Sequence, residues 1–216
     1  MILTDLLNIF FPIRCIYCNK NSKKIPFCQK CLLKIEHIDE RCLIQGSNRA
    51  AFFYSGLVRE AILKAKFEPN ESVARALSQL WSFYFCQNEN MLFFLENKPA
   101  CVSFVPLHWR RRVTRGFDFA AIIAKTIAKT LEIPLVDYLK CTRLDAPLSN
   151  SQNKEERLAK VFGKYTLRKK TTVKPHILLV DDIVTTGATF NAAREPLITA
   201  GANVTCYALA YTPLND

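Results

Sequence analysis

The sequence predicts an α/β fold, a parallel sheet with flanking helices, preceded by a small four-cysteine module. Three observations predict it. Short apolar runs alternate with amphipathic helical stretches through most of the chain, the pattern of strands feeding helices across a parallel sheet. One of those runs, Ile177-Leu178-Leu179-Val180, is apolar without alternation, as befits a strand covered on both faces. Four of the nine cysteines gather in two C-x-x-C pairs near the start, in a stretch with no clear periodicity.

The elements follow in order. Residues 1–45 are read as the front module and 46–216 as the α/β domain, with Gly46-Ser47-Asn48 as punctuation between them. A strand is expected over 49–54 and a helix over 56–67. A second helix over 71–85 carries Val73, Leu77, Leu80, Trp81 and Tyr84 on one face. A short strand over 101–105 stops at Pro106, a basic loop runs over 110–116, and a strong helix over 117–131. A strand is expected over 136–141, then a long polar, mobile loop over 143–159. The apolar strand 176–180 leads to a helix over 187–200, whose end Pro196 disturbs, and a strand over 204–211 closes the chain.

With 216 residues, half of them apolar, the chain is long enough for one ordinary domain and a small appendage. Lys and Arg total 30 against 19 Asp and Glu, a formal net charge of +11. Such a field attracts polyanions: nucleic acid, an anionic membrane face, or phosphorylated small molecules. The bland alternative is charge for solubility. The apolar start, residues 1–11, carries Asp5, lacks a preceding basic stretch, and is too short for a bilayer, which takes ~20 apolar residues. It reads as a segment packed on the body, with a weak surface contact to a membrane as the alternative. Cys42, Cys86, Cys101, Cys141 and Cys206 are scattered in apolar surroundings, as small core hydrophobes are. Without a wider disulfide array, a reducing, cytoplasmic setting is expected.

Cys15, Cys18, Cys28 and Cys31 form the two C-x-x-C pairs, separated by nine residues. Two such turns can aim four thiolates at one tetrahedral ion, with Zn–S near ~2.3 Å. A core this small needs a staple, so a structural Zn²⁺ is expected; a disulfide or redox pair is the alternative.

The stretch Ile177-Leu-Leu-Val-Asp181-Asp182-Ile-Val-Thr185-Thr186-Gly187-Ala188-Thr189 carries the most chemistry. A buried strand ends in two acids, and a Thr/Gly loop opens a helix. That loop gathers amide and hydroxyl donors at the positive end of a helix dipole, an anion site. Two adjacent carboxylates suit the two hydroxyls of a ribose, or a hydrated Mg²⁺ held indirectly. A P-loop ATPase strand is disfavoured, since none of the six glycines starts G-x-x-x-x-G-K-[ST]. An ordinary turn with a Thr N-cap is the plain alternative.

These thirteen residues resemble the signature of type I phosphoribosyltransferases, which bind phosphoribosyl pyrophosphate. The resemblance implies a type I phosphoribosyltransferase-like sheet. It also implies that Asp181 and Asp182 take the ribose hydroxyls, and Thr185, Thr186, Gly187, Ala188 and Thr189 the 5′-phosphate, with Mg²⁺ accompanying the ligand.

Upstream, Val105-Pro-Leu-His108-Trp109 leads into Arg110, Arg111, Arg112 and Arg115, four arginines in six positions. Arg forks bind phosphate oxygens in pairs, so these residues are candidates to clamp a pyrophosphate, with a solvated basic turn as the alternative. The order of four-cysteine module, V-P-L-H, R-G-F and phosphoribosyltransferase signature resembles the ComF family of competence proteins, over nearly the whole chain. Members commonly read R-G-F-N-Q-A, where this chain has Asp118 and Phe119. Of the family's polar stretch, Gln152 and Arg157 are present, and no Asn follows Arg157.

That resemblance implies a factor that handles incoming single-stranded DNA during natural transformation. DNA-uptake helicases or membrane channel proteins are its implied partners, and its place is the cytoplasm, peripheral to the inner face of the membrane. Lys20, Lys23, Lys24, Lys30 and Lys34 crowd the front module, and Arg168, Lys169 and Lys170 form another cluster. Tyr17, Trp109 and Tyr165 are candidates to stack on bases or to serve as packing. The other function the residues allow is an active phosphoribosyltransferase in nucleotide salvage or DNA modification. The sequence shows no evident group for base recognition or general base work, His108 alone lying near the arginines. A third possibility joins the two: the pocket takes phosphoribosyl pyrophosphate or a DNA 5′-phosphate as a ligand.

Overall fold

A computed structural model describes residues 13–22, 24–38, 44, 48–68, 70–85, 98–143, 163–168 and 172–213. The loop expected over 143–159 (beyond 143 itself, and including Gln152 and Arg157), the apolar start 1–11, the turn at 46–47, Lys23, Lys169, Lys170, Cys42 and Cys86 lie outside the described residues.

The described elements are α1 (Gln29–Leu32), β1 (Asn48–Phe53), α2 (Gly56–Phe67), α3 (Glu71–Phe85), β2 (Cys101–Phe104), α4 (Trp109–Arg115), α5 (Phe119–Leu131), β3 (Leu139–Cys141), β4 (Tyr165–Leu167), β5 (His176–Val184), α6 (Ala188–Thr199) and β6 (Asn203–Tyr211). Four strands form one sheet in the order β1-β6-β5-β2, every neighbouring pair parallel. Strand alternation divides the sheet's side chains between two cores. Val102, Leu178, Val180, Tyr207 and Leu209 pack against α2, α3 and α5 on one face. Cys101, Ile177, Leu179, Cys206 and Ala208 meet Phe190, Ala193 and Leu197 of α6 on the other. This is the expected parallel sheet with both faces covered. Trp81 of α3 is the largest fully buried side chain, and its indole N–H donates to the Tyr207 hydroxyl at 2.7 Å. The pairing satisfies two polar atoms that the core would otherwise strand.

Three expectations are corrected. The basic stretch 110–116 is not a loop but the helix α4. His108 Nδ1 accepts from the Arg110 amide at its start (3.3 Å), and Gly116, at φ 82°, closes it in the left-handed region. The strand expected over 136–141 shrinks to β3, which pairs antiparallel with β4 in a separate two-stranded sheet. The chain is held to the main sheet around Leu135, where the Val102 amide donates to the Pro134 carbonyl (2.9 Å) and the Val136 amide to the Val102 carbonyl (2.8 Å), before it turns away and Asp137 pairs with Arg168 (2.9 Å). Finally, β5 does not end at Val180. It runs to Val184, because β6 is long enough to pair with it as far as Tyr211. Pro196 sits inside α6 without ending it.

The front segment is tied to the body. Ile25, Phe27 and Ile35 join the core that holds α2, α3 and α5. The Tyr84 hydroxyl donates to the Leu32 carbonyl (3.1 Å), and its ring stacks on His37. Among the described residues, no helix is long and apolar enough to cross a membrane.

Candidate functional site

The two cysteine turns bring Cys15, Cys18, Cys28 and Cys31 together, with all four sulfurs within 4.8 Å of one another. The first turn is closed by Asn19, whose amide donates to the Cys15 carbonyl while its backbone adopts φ 55°. Cys18 and Cys28 sulfurs lie 3.4 Å apart and Cys18 and Cys31 3.9 Å. Four sulfurs ~2.3 Å from one ion sit roughly 3.8 Å from each other, so the cluster has the dimensions of a tetrahedral thiolate site. The four are free thiols, not disulfides. Burial opposes ionisation of Cys15, yet hydrogen bonds from the backbone of Cys18, Cys28 and Tyr17 outweigh it and bring the thiol down to about 6. Burial pushes Cys31 up to about 12. A cation at the centre would favour the thiolate form of all four. Among the described residues this is the sole set of potential ligands spaced to hold an ion directly.

The second site lies at the carboxyl edge of the sheet. Phe104, the last residue of β2, pairs with Val180, so Asp181 and Asp182 of β5 project past the end of their neighbour. Ligands of open α/β sheets bind at this edge. Asp182 holds the ammonium of Lys66, at the end of α2, at 2.9 Å. Asp181 is densely surrounded by protein. Burial, and then the charge of Asp182, push its carboxyl well above the usual range, while its own carboxylate takes the Asp182 amide (2.8 Å). Asp118 comes near both. It caps α5 by accepting from Ala121 (3.4 Å) and takes the Leu107 amide of the loop leaving β2 (2.7 Å). Burial raises Asp118 too, and the Asp182 charge adds to the effect.

Beyond β5 the chain turns through Thr185 and Thr186 to Gly187, whose φ of 76° places it in the left-handed region. A β-carbon is strained there, which accounts for glycine. Ala188 and Thr189 then begin α6. First-turn amides have no acceptor inside a helix; that of Ala188 reaches Thr186 Oγ1 (3.4 Å). Thr185 and Thr186 are exposed and Thr189 half-buried, so hydroxyl and amide donors share one helix start. This is the chemistry of an oxyanion site.

The four arginines do not converge. Helical spacing puts Arg111 and Arg115 on one face of α4. Arg111 lines a cleft of about 40 Å³ with Arg143 and Lys164. Arg110 lies over the Trp109 ring at 5.3 Å, and Arg112 lines a separate groove. Of the suggested stacking aromatics, Trp109 is 61% exposed, Tyr165 is buried at 5%, and Tyr17 packs on Phe27. Two residues of this edge escaped the sequence reading. Asp118 was visible as a helix N-cap signal before an apolar run. Lys66 carried no local signal, because its partner is 116 residues away.

No protein-family model matches the chain. It is 24% identical to Competence protein ComFC of Bacillus subtilis, over 90% of this chain and 76% of that protein. It is 24% identical to Competence protein F of Haemophilus influenzae, over 87% and 92%. Adenine phosphoribosyltransferase of Treponema pallidum is 28% identical over 125 residues, 56% of this chain and 57% of that one. Among solved structures, the adenine phosphoribosyltransferase of Leishmania tarentolae overlaps 70% of this chain and 74% of its own at 12% identity and a TM-score of 0.38. A phosphoribosyltransferase of Corynebacterium diphtheriae overlaps 82% and 89% at 16% and 0.33. Overlaps this loose carry no argument; the fold rests on the parallel sheet itself. With a cysteine cluster dimensioned for a metal ion in front of that sheet, the chain is a homologue of the ComF competence proteins.

Proposed function

We propose that this protein is a competence factor that handles incoming single-stranded DNA, and that its sheet edge binds phosphoribosyl pyrophosphate or a DNA 5′-phosphate. The observation that carries the reading is the juxtaposition at one edge of two projecting acids, Asp181 and Asp182, with the donor-rich start of α6. In this reading the acids take the ribose hydroxyls and residues 185–189 take the phosphate. Lys66, the cation nearest the acids, holds Asp182 until a ribose replaces it. Mg²⁺ accompanies the pyrophosphorylated ligand, held through the ligand rather than by a protein cage. The relatives named as competence proteins support the cellular role, and the +11 charge supports a polyanionic partner. The four-cysteine cluster would hold Zn²⁺ as a structural ion, since four thiolates leave no open position for chemistry. The setting is cytoplasmic, at the inner face of the membrane where a helicase or channel protein delivers the strand.

Titration calorimetry with phosphoribosyl pyrophosphate and Mg²⁺ tests the pocket. Saturable heat that disappears in an Asp181→Ala, Asp182→Ala double variant is expected, and no heat with the unaltered protein refutes it. Single-strand affinity should fall steeply with salt, with log K against log [salt] sloping by about −0.7 per phosphate contacted. A flat dependence refutes DNA handling.

The Treponema relative favours a second reading, an active phosphoribosyltransferase. The protein would then position the anomeric carbon and neutralise the departing pyrophosphate. Pyrophosphate release with a panel of bases and with single-stranded DNA distinguishes an enzyme from a binding module.

A further inference from the structure

α3 and α5 lie side by side over the sheet, and two hydrogen bonds define how. Thr126 Oγ1 donates to Ser78 Oγ at 3.0 Å, and the hydroxyls of Ser82 and Thr130 meet at 3.1 Å. Both pairs are 48 residues apart. An equal offset at successive turns means that the two helices run parallel. Both begin at the carboxyl edge of the sheet, where Asp118 takes the amide of the loop leaving β2. Above their seam runs an open groove of about 1250 Å³. Its lining runs from Arg112 and Asp118 at the start of α5, through Lys125 and Lys129 further along that helix, to Phe83 and Leu135, and includes Lys24 of the cysteine module.

Its charge is one-sided. Glu71 is engaged by Arg75, and the Asp118 carboxylate is taken up by backbone amides. Arg112 lies within electrostatic reach of Asp118, and Lys24, Lys125 and Lys129 remain, with no ion pair among the described residues. Lys125 and Lys129 stand one turn apart on the exposed face of α5, a spacing at which like charges repel.

We infer that this groove is a track for a stretch of single-stranded polynucleotide, whose end leaves it at Arg112 and Asp118 beside the acids of β5. The inference rests on the single-strand reading above and adds the surface and the direction. The groove exceeds the ~300–1,000 Å³ of small-molecule pockets. Its cations come from three separate elements, with Lys125 and Lys129 about 6 Å apart along α5, Arg112 on α4 and Lys24 in the cysteine module, rather than from one turn closing on one anion. Sequence-independent proteins follow one strand with a basic groove for the backbone and aromatic faces for the bases, and this groove offers its cations with Phe83 at its end. The rigid convex surface of a duplex does not enter such a recess.

The test is fluorescence anisotropy of a labelled oligothymidylate with the full chain. Its variants are Lys125→Glu/Lys129→Glu in the groove and Lys64→Glu/Lys140→Glu elsewhere, all exposed positions. The groove variant should bind at least tenfold more weakly, with a salt slope shallower by about 1.4 from two lost contacts. The control should stay within a factor of two of the unaltered protein. Equal losses in both variants would assign the effect to net charge and overturn the track, as would an unaffected groove variant or a duplex that competes equally well. So would self-association of the chain that the groove variant abolishes, since the occupant is then a second copy. Binding by the unaltered protein that ignores the groove defeats this inference alone; no binding at all defeats the single-strand reading with it.

Discussion

At the scale of single residues, Asp181 shows what the edge costs. Burial and the neighbouring Asp182 disfavour its charge, and Lys66 only partly offsets them. An acid whose pKa the fold raises stabilises the folded state while protonated. That contribution is whole below the ordinary carboxylate range and is lost as pH rises through the raised value. Asp181→Asn keeps the shape of the protonated acid and has no charge to lose. Melting curves should therefore coincide for the variant and the unaltered protein near pH 4, and separate towards pH 8, the variant melting about 2 °C or more higher. Its affinity for phosphoribosyl pyrophosphate should fall at least tenfold. A variant that melts lower at pH 8 would mean that the carboxylate is stabilised in place, contrary to its surroundings. The opposed signs of stability and binding are the mark of a group retained for function.

At the scale of elements, the turn from β5 into α6 depends on Gly187. A residue with a β-carbon at φ 76° costs about 1 kcal/mol. Gly187→Ala should lower stability by that amount and weaken the binding of the pyrophosphorylated ribose, read by calorimetry. An alanine variant with full affinity and an unchanged melting point would show that this backbone is not needed. The thirteen residues around this turn announced it, because a continuous apolar strand, two acids and a Thr/Gly turn form a local pattern. Helices α2 and α3 were legible to the residue from their periodicity. What stayed hidden was non-local. The extension of β5 to Val184 depends on the length of β6, and the departure of the chain after Val136 depends on pairing with β4. Helix α4 was hidden differently: four arginines read as loop by charge, although arginine is a good helix former and His108 and Gly116 supply the caps.

At the scale of the whole molecule, the cysteine cluster and the sheet are joined through one core. Ile25 and Phe27, between the two cysteine pairs, and Ile35, just after them, pack with Phe52, Leu77 and Leu80 of the body. A metal ion drawn from the four thiolates would remove the staple from the segment that holds these side chains in place. Burying a large apolar side chain is worth ~1.5–3 kcal/mol, so three loosened together reach well into the ~5–15 kcal/mol by which domains are stable. Chelation, or Cys18→Ser, should therefore lower a single melting transition of the whole chain. The same transition should be seen by near-ultraviolet circular dichroism, which reports Trp81, and by calorimetry. Metal analysis of the unaltered protein should give one zinc per chain. Two separated transitions, with the Trp81 signal unmoved by chelation, would make the cluster an independent appendage and show that its apolar contacts to the body add little. A single lowered transition would mean that loss of the ion disables the α3–α5 groove and the β5 edge together, because both stand on the core that the cysteine segment completes.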